Sequence, residues 1–341
     1  MNQGSLVSYK DDMNSIEQRA TEILKDAYGQ SAEFRKGQLE AIVSVVSKHK
    51  TLVVQKTGWG KSLVYFIATK ILRQRGAGPT IIVSPLLALM NNQIDSADVL
   101  GIKAITINSA NRDQWDYLYQ ELDSYDAIIV SPERLSDEMF MNNLQSVKRI
   151  ELFVVDEAHS ISDWGHDFRP DYQRIVKLLK QLAKDIAILG TTATANNRVI
   201  DNIKSQLGSD LVVSRGALMR DNLSIQINPK QTREERLAWI TQALSFDERL
   251  HNEQGIIYCL TQRDCETVAN FLKVFKISAE SYHSGLGLDE DGANIAEQRL
   301  LRFHSGKTKV LVSTIKLGMG YDKSDIRFII HYQLPENLIS Y

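Results

Sequence analysis

Two short, well-separated segments hold the residue types that handle phosphate and water. Thr57-Gly58-Trp59-Gly60-Lys61-Ser62 joins two glycines to a lysine and a hydroxyl, and Asp156-Glu157-Ala158-His159 joins two carboxylates to an imidazole. Glycines let backbone N–H groups close around a phosphate, a neighbouring lysine supplies a compact positive charge, and the hydroxyl is available to Mg²⁺. Of the two acids, one suits a metal and the other a water. The strict phosphate-loop pattern asks for a further glycine ahead of Gly60, where this chain has Gln55-Lys56, so the glycine segment alone also fits an ordinary strand-to-helix turn. An Asp-Glu pair alone also fits a solvated strand end. Together they read as a nucleotide hydrolase.

The elements that must position these segments are apolar runs. Leu52-Val53-Val54 precedes the first segment and Leu152-Phe153-Val154-Val155 the second. Both read as buried parallel strands, whose carboxyl ends are where open α/β sheets place ligands. Further strand-like runs at Ile81–Val83, Ile105–Ile107, Ile128–Val130 and Ile186–Leu189 alternate with helical stretches. A second series follows at Gly255–Tyr258, Ser281-Tyr282, Val310–Val312 and Phe328–Ile330. The pattern predicts an α/β protein whose mostly parallel sheets are covered by helices on both faces. The expected organisation is an N-terminal segment with a first helix over 1–30, a first domain over 31–215 and a second over 216–341. Ser15 with Gln18 predicts a capping box opening the first helix, whose apolar face is Ile16, Ala20, Ile23, Leu24 and Ala27, and Gly29 would end it.

Two more segments invite chemistry. Thr191-Thr192-Ala193-Thr194 closes a strand with a row of hydroxyls that could relay hydrogen bonds from the phosphate site or simply cap the next helix. Gly318-Met319-Gly320-Tyr321-Asp322 could bring backbone close to a ligand or form a tight turn.

Forty-two acids against forty bases leave a net charge of −2, so any nucleic-acid contact must come from a local groove and not a globally basic surface. Two cysteines, Cys259 and Cys265, lack zinc-site spacing, so no zinc is expected, and they point to a reducing compartment. No apolar stretch approaches membrane-spanning length, and the N-terminus, with Lys10, Asp11 and Asp12, does not read as a signal peptide. The expectation is a soluble, cytoplasmic protein with no membrane partner.

At this point the order of motifs carries a resemblance. Phe34-Arg35-Lys36-Gly37-Gln38, Thr57–Ser62, Ser84-Pro85-Leu86, Ser131-Pro132-Glu133-Arg134-Leu135, Asp156–His159, Thr191–Thr194 and Gly318–Asp322 resemble a superfamily 2 helicase motor. Trp164-Gly165-His166-Asp167-Phe168-Arg169-Pro170-Asp171-Tyr172 resembles the aromatic-rich loop of the RecQ helicases. Gly255–Cys259, Tyr282–Leu286 and Phe328–Tyr332 are similar to RecQ second-domain motifs, and the resemblance runs from about residue 30 to Tyr341.

The resemblance implies two RecA-like domains, the second incomplete, and a motor that uses ATP and Mg²⁺ to move 3′-to-5′ along single-stranded or forked DNA. It implies that Lys61 holds the β- and γ-phosphates, that Ser62 and Asp156 hold Mg²⁺ and that Glu157 orients or deprotonates the attacking water. Arg35 and Gln38 would read adenine, Thr57, Gly58, Gly60, Gly318 and Asp322 would line the nucleotide, and His159, Thr192 and Thr194 would couple its state to the rest of the motor. Trp164 and Phe168 would stack bases and Arg169 would add a cation. Ser84, Ser131, Arg134 and Thr314 would grip the phosphodiester backbone, although Ser-Pro is also a good helix start.

Departures from the family pattern matter too. Ser31 stands where a tyrosine is expected, which leaves Tyr28 as a candidate for adenine stacking. Trp59 replaces a glycine, and Lys56 a proline. The family's next motif, with its arginines, would begin about where the sequence stops, so weak hydrolysis is expected of these residues alone. Two other readings stay open: an RNA helicase or remodelling ATPase of the same superfamily, and a non-hydrolysing, nucleotide-gated DNA-binding protein.

Overall fold

The computed structural model describes residues 3–85, 87–162, 172, 175, 176, 178, 186–217, 223–317, 321, 323 and 325–334. The chain divides into two compact units, Met1–Asn222 and Leu223–Tyr341.

In the first unit α1 (Gln3–Tyr28) and α2 (Gln38–Val46) lead into β1 (Thr51–Val54). There follow α3 (Lys61–Gln74), β2 (Thr80–Val83), α4 (Leu87–Val99), β3 (Ala104–Ile107), α5 (Trp115–Gln120), β4 (Ala127–Val130), α6 (Glu138–Ser146) and β5 (Leu152–Val155). β6 (Ala187–Thr192), a helix over Asn197–Leu207 and β7 (Val212–Arg215) complete it. Among the described residues the strands form one seven-stranded sheet in the order β3-β4-β2-β5-β6-β1-β7, and every pairing is parallel. Parallel strands are buried on both faces, and the period of two is plain in β5. Leu152 and Val154 join the core layer under α1–α3, while Phe153 and Val155 join the opposite layer with Phe140, Ile175 and Ile203. Each such side chain contributes about 1.5–3 kcal/mol when fully buried.

The first helix corrects one expectation. It does not open at Ser15 but runs from Gln3, and Gln18 spends its amide on Glu22 Oε1, 3.1 Å away and one turn further on. No proline stands upstream to stop it, so the helix extends beyond its apolar face. Gly29 does end it, in the left-handed region at φ 95°, with its N–H donating to Lys25 O. Ile16, Ala20, Ile23 and Leu24 pack into the core shared with α2 and α3, so α1 is built into the first unit. The edge strand β7 was not expected: half of it lies exposed, and its second half is the polar pair Ser214 and Arg215.

In the second unit β8 (Gln254–Tyr258), β9 (Ala279–Tyr282), β10 (Val310–Ser313) and β11 (Ile326–His331) form, among the described residues, a four-stranded parallel sheet ordered β11-β8-β10-β9. Helices over Arg233–Phe246, Gln262–Val274 and Ile295–His304 accompany it. A capping box does occur here. Glu235 N donates to Thr232 Oγ1 at 3.2 Å, and Thr232 N donates to Glu235 Oε2 at 2.7 Å. Cys259 and Cys265 are buried as free thiols in this core. Among the described residues no helix is long and apolar enough to cross a membrane.

Candidate active site

Sheet order brings the two chemistry-bearing segments together. β5 and β1 both pair with β6, and because all three run parallel, their carboxyl ends share one edge. Asp156 follows β5, Lys61 opens α3 after β1, and Thr191 and Thr192 end β6 between them. Gln55 N donates to Thr192 O at 3.0 Å and Lys61 Nζ donates to Gln55 O at 3.2 Å, which laces the glycine loop to β6.

Asp156 is the most constrained carboxylate of this edge. Thr191 Oγ1 donates to its Oδ1 at 2.5 Å, Gln93 Nε2 of α4 donates to its Oδ2 at 2.9 Å, and the Tyr172 hydroxyl donates to its backbone oxygen at 3.1 Å. Burial pushes the Asp156 carboxyl up to about 6 and the Glu157 charge adds to this, while the Thr191 hydrogen bond and the Lys61 charge pull the other way. Lys61 and Asp156 therefore feel each other directly. Glu157 sits in the left-handed region at φ 50°, ψ 47°, which costs a residue with a Cβ about 1–2 kcal/mol. Its Oε2 lies 3.2 Å from His159 Nδ1, which is also 2.9 Å from Thr192 Oγ1 and 3.4 Å from Thr194 Oγ1. The row of threonines thus meets the acidic segment through one buried imidazole. Gly190 of β6 permits this closeness: a Cβ there would come within 2.9 Å of Leu52 Cδ1 and 3.3 Å of Ala158 Cβ.

The glycine loop is held from below by the segment ahead of α2. Gln38, itself buried, donates from Nε2 to Trp59 O at 2.9 Å and to Gly60 O at 3.3 Å, and accepts from Arg35 N at 2.8 Å. The Arg35 guanidinium donates to Gly58 O. Gly60 has φ 91°, and a Cβ on it would fall 2.7 Å from Gln38 Nε2, so only glycine fits. Trp59, the residue that departs from the family pattern, is buried, and its indole N–H donates to Lys36 O at 3.3 Å. Arg35 and Gln38, expected to read adenine, here grip the loop backbone. Thr57 and Gly58 lie in the same loop, and Ser62 in the first turn of α3.

The residues expected to touch a nucleic-acid strand fare differently. Ser84 is fully buried at the end of β2, and its Oγ has no hydrogen-bond partner among the described residues. Ser131 is half-buried at the end of β4. Arg134 is folded inward, ion-paired with Asp137 and stacked 3.4 Å from the Trp115 ring centroid, with 12 % of its side chain exposed. Thr314 is half-buried after β10, with its N–H donating to Tyr282 O at 3.4 Å. Trp164, Phe168, Arg169, Gly318 and Asp322 lie outside the described residues.

Gln93 and Tyr65 were missed from sequence. Gln93 is a lone buried glutamine on α4 whose Nε2 also donates to the Tyr65 hydroxyl at 2.9 Å, and no local pattern announces that contact. Its Oε1 is buried without a hydrogen-bond partner among the described residues. The oxygen donors of Ser62 and Asp156 suit a hard divalent cation, and an orphaned acceptor beside Asp156 suits the proton of a metal-bound water.

Residues 35–203 match the family described as DEAD/DEAH box helicase, and residues 235–341 the helicase conserved C-terminal domain. The ATP-dependent DNA helicase RecQ of Bacillus subtilis is 34% identical over 334 residues, 95% of this chain and 53% of the relative. The chain belongs to the RecQ-like helicases of superfamily 2. The RecQ-like DNA helicase blm-1 of Caenorhabditis elegans is 36% identical over 333 residues, 93% of this chain and 32% of that one. The chain thus spans about half the length of the bacterial relative and a third of the nematode one. Among solved structures, a point variant of Dbp5 from S. cerevisiae, bound to a Gle1 variant and IP6, matches with a TM-score of 0.72 at 17% identity, covering 94% of this chain and 79% of that one. That likeness gives the RecA-like fold of a RecQ-like chain's two parallel-sheet units.

Proposed function

We propose that this chain is the motor portion of an ATP-dependent DNA helicase that moves 3′-to-5′ along single-stranded DNA, with its nucleotide site at the edge shared by β1, β5 and β6. The observation that carries the reading is the Asp156 carboxylate, anchored by Thr191 and Gln93 within electrostatic reach of Lys61.

In this reading the glycine loop, braced by Gln38 and Arg35, wraps the triphosphate, and Lys61 pairs with the β- and γ-phosphates. Ser62 and Asp156 hold Mg²⁺, which when bound neutralises charge building on the phosphate oxygens. Glu157 orients the attacking water and takes its proton, and His159 holds the Glu157 carboxylate in line with the Thr192–Thr194 row. Accepting that proton at Glu157 Oε2 or Oε1 leaves Lys61 free to balance charge on the leaving phosphates. Arg134 serves the fold of the strand-end segment, and Ser131 is the more accessible hydroxyl for a strand's backbone.

Steady-state ATP hydrolysis with and without single-stranded DNA tests the assignment, with single-stranded RNA as competitor. DNA-stimulated turnover that collapses in Glu157→Gln supports it; stimulated turnover that survives that change refutes the site, and preferential competition by RNA refutes the choice of strand.

A further inference from the structure

We infer that Gln93 is a positioning residue for the metal site: its side-chain amide sets the orientation of the Asp156 carboxylate and presents its own oxygen to a metal-bound water. The inference rests on the assignment of Asp156 as a metal ligand and concerns a residue that touches neither nucleotide nor metal.

Three observations carry it. A carboxylate only accepts, so the Gln93 atom 2.9 Å from Asp156 Oδ2 is the NH₂ group, and the amide orientation follows from chemistry. The same nitrogen is anchored at 2.9 Å by the Tyr65 hydroxyl, and Tyr65 stands on α3 one turn after Lys61 and Ser62. One amide therefore ties the helix of the phosphate loop to the acidic segment. With Nε2 committed, Oε1 is left as a buried acceptor without a partner among the described residues, in a part of the core where Tyr65 is fully buried.

A buried acceptor left without a hydrogen bond is destabilising, so a sequence that needed only packing here would do better with leucine or methionine. Thr191 on Oδ1 and Gln93 on Oδ2 leave Asp156 no rotational freedom. That is what a ligand for a small cation with strict octahedral demands requires. Partners of this kind, one bond removed from the metal, commonly change metal affinity or activity by about 10–100-fold when lost.

The test is Mg²⁺ titration of the binding of a fluorescent, non-hydrolysable ATP analogue to the 341-residue chain, with thermal melting as a check on folding. Gln93→Met keeps the length and removes both amide functions. The expected result is a rise of about 10–100-fold in the Mg²⁺ concentration at half-saturation, with affinity for the metal-free analogue unchanged and full binding recovered at excess Mg²⁺. Tyr65→Phe, which keeps the ring, shifts the Mg²⁺ dependence the same way but less, and adds nothing on top of Gln93→Met. An unaltered Mg²⁺ dependence in a folded Gln93→Met chain overturns the inference. Should Gln93→Met not fold, an unaltered dependence in Tyr65→Phe overturns it. Asp156→Asn separates the two levels: if it leaves Mg²⁺ dependence intact, the metal-site reading itself fails, whereas if it abolishes that dependence while Gln93→Met does not alter it, only the role of Gln93 fails.

Discussion

The Tyr172 hydroxyl donates to the backbone oxygen of Asp156 over 3.1 Å, so the residue that closes the Trp164–Tyr172 stretch is fastened to the backbone of the proposed metal ligand. The Tyr172 ring is fully buried in the core layer that also contains Val155 and Ala158. Tyr172→Phe keeps that packing and removes the tie. We expect a stability loss of about 0.5–1.5 kcal/mol in denaturant titration and a lower ratio of DNA-stimulated to basal ATP hydrolysis. An unchanged ratio would contradict a coupling of Tyr172 to the site through this bond.

Glu157 keeps a left-handed backbone that suits glycine. Glu157→Gly should therefore melt higher than Glu157→Ala, by about 1–2 kcal/mol. For a domain of this size that is a separation of about 2–4 °C for each kcal/mol. Both variants should be inactive. The reverse order of melting temperatures would show that the surrounding contacts, and not the backbone, decide stability at this position.

Arg134 stacks on Trp115 and pairs with Asp137, which also caps α6 by accepting from Met139 N and Phe140 N. A lysine cannot reproduce a planar stacked fork. Arg134→Lys should lower the melting temperature of the first unit while leaving affinity for single-stranded DNA, measured on the folded protein, little changed. A large loss of DNA affinity without loss of stability would return Arg134 to the strand-binding surface.

In the second unit, burial alone would raise the Glu280 carboxyl, but hydrogen bonds from Arg302 and Thr308 outweigh it and hold the group below the usual 4.5. A depressed carboxyl stabilises the fold above its unfolded value, and that stabilisation drains away as pH falls through the lower folded value. The melting difference between the parent and Glu280→Gln should therefore be widest near neutrality and shrink as the solution is made strongly acidic. A difference that does not vary with pH would contradict the charge-based account.

How much of this was legible in the sequence follows from what kind of force fixes each part. Apolar runs such as Leu152–Val155 and Val310–Val312 announced strands because buried parallel strands have few other compositions. β7 escaped because the short run Leu211-Val212-Val213 gives way at once to Ser214 and Arg215, as a half-exposed edge strand allows. The start of α1 escaped because Ser15 and Gln18 match a cap pattern that a helix can also carry in its interior. Lys61 and Asp156 were legible from motif chemistry, and sheet order supplies the reason they meet. Gln93, Tyr65 and the bracing by Gln38 and Arg35 depend on distant segments packing together, and no spacing along the chain encodes those contacts.

In the proposed site Lys61, Ser62, Asp156 and Glu157 serve one magnesium-triphosphate. A crystal structure with Mg²⁺ and a non-hydrolysable ATP analogue decides whether they do. The expected arrangement is one ion about 2.0–2.1 Å from the Ser62 hydroxyl, with Asp156 bound to it directly or through a water, Lys61 on the β- and γ-phosphates and Glu157 facing the γ-phosphate through a water. A triphosphate bound elsewhere, or an ion that ignores Ser62 and Asp156, would contradict it.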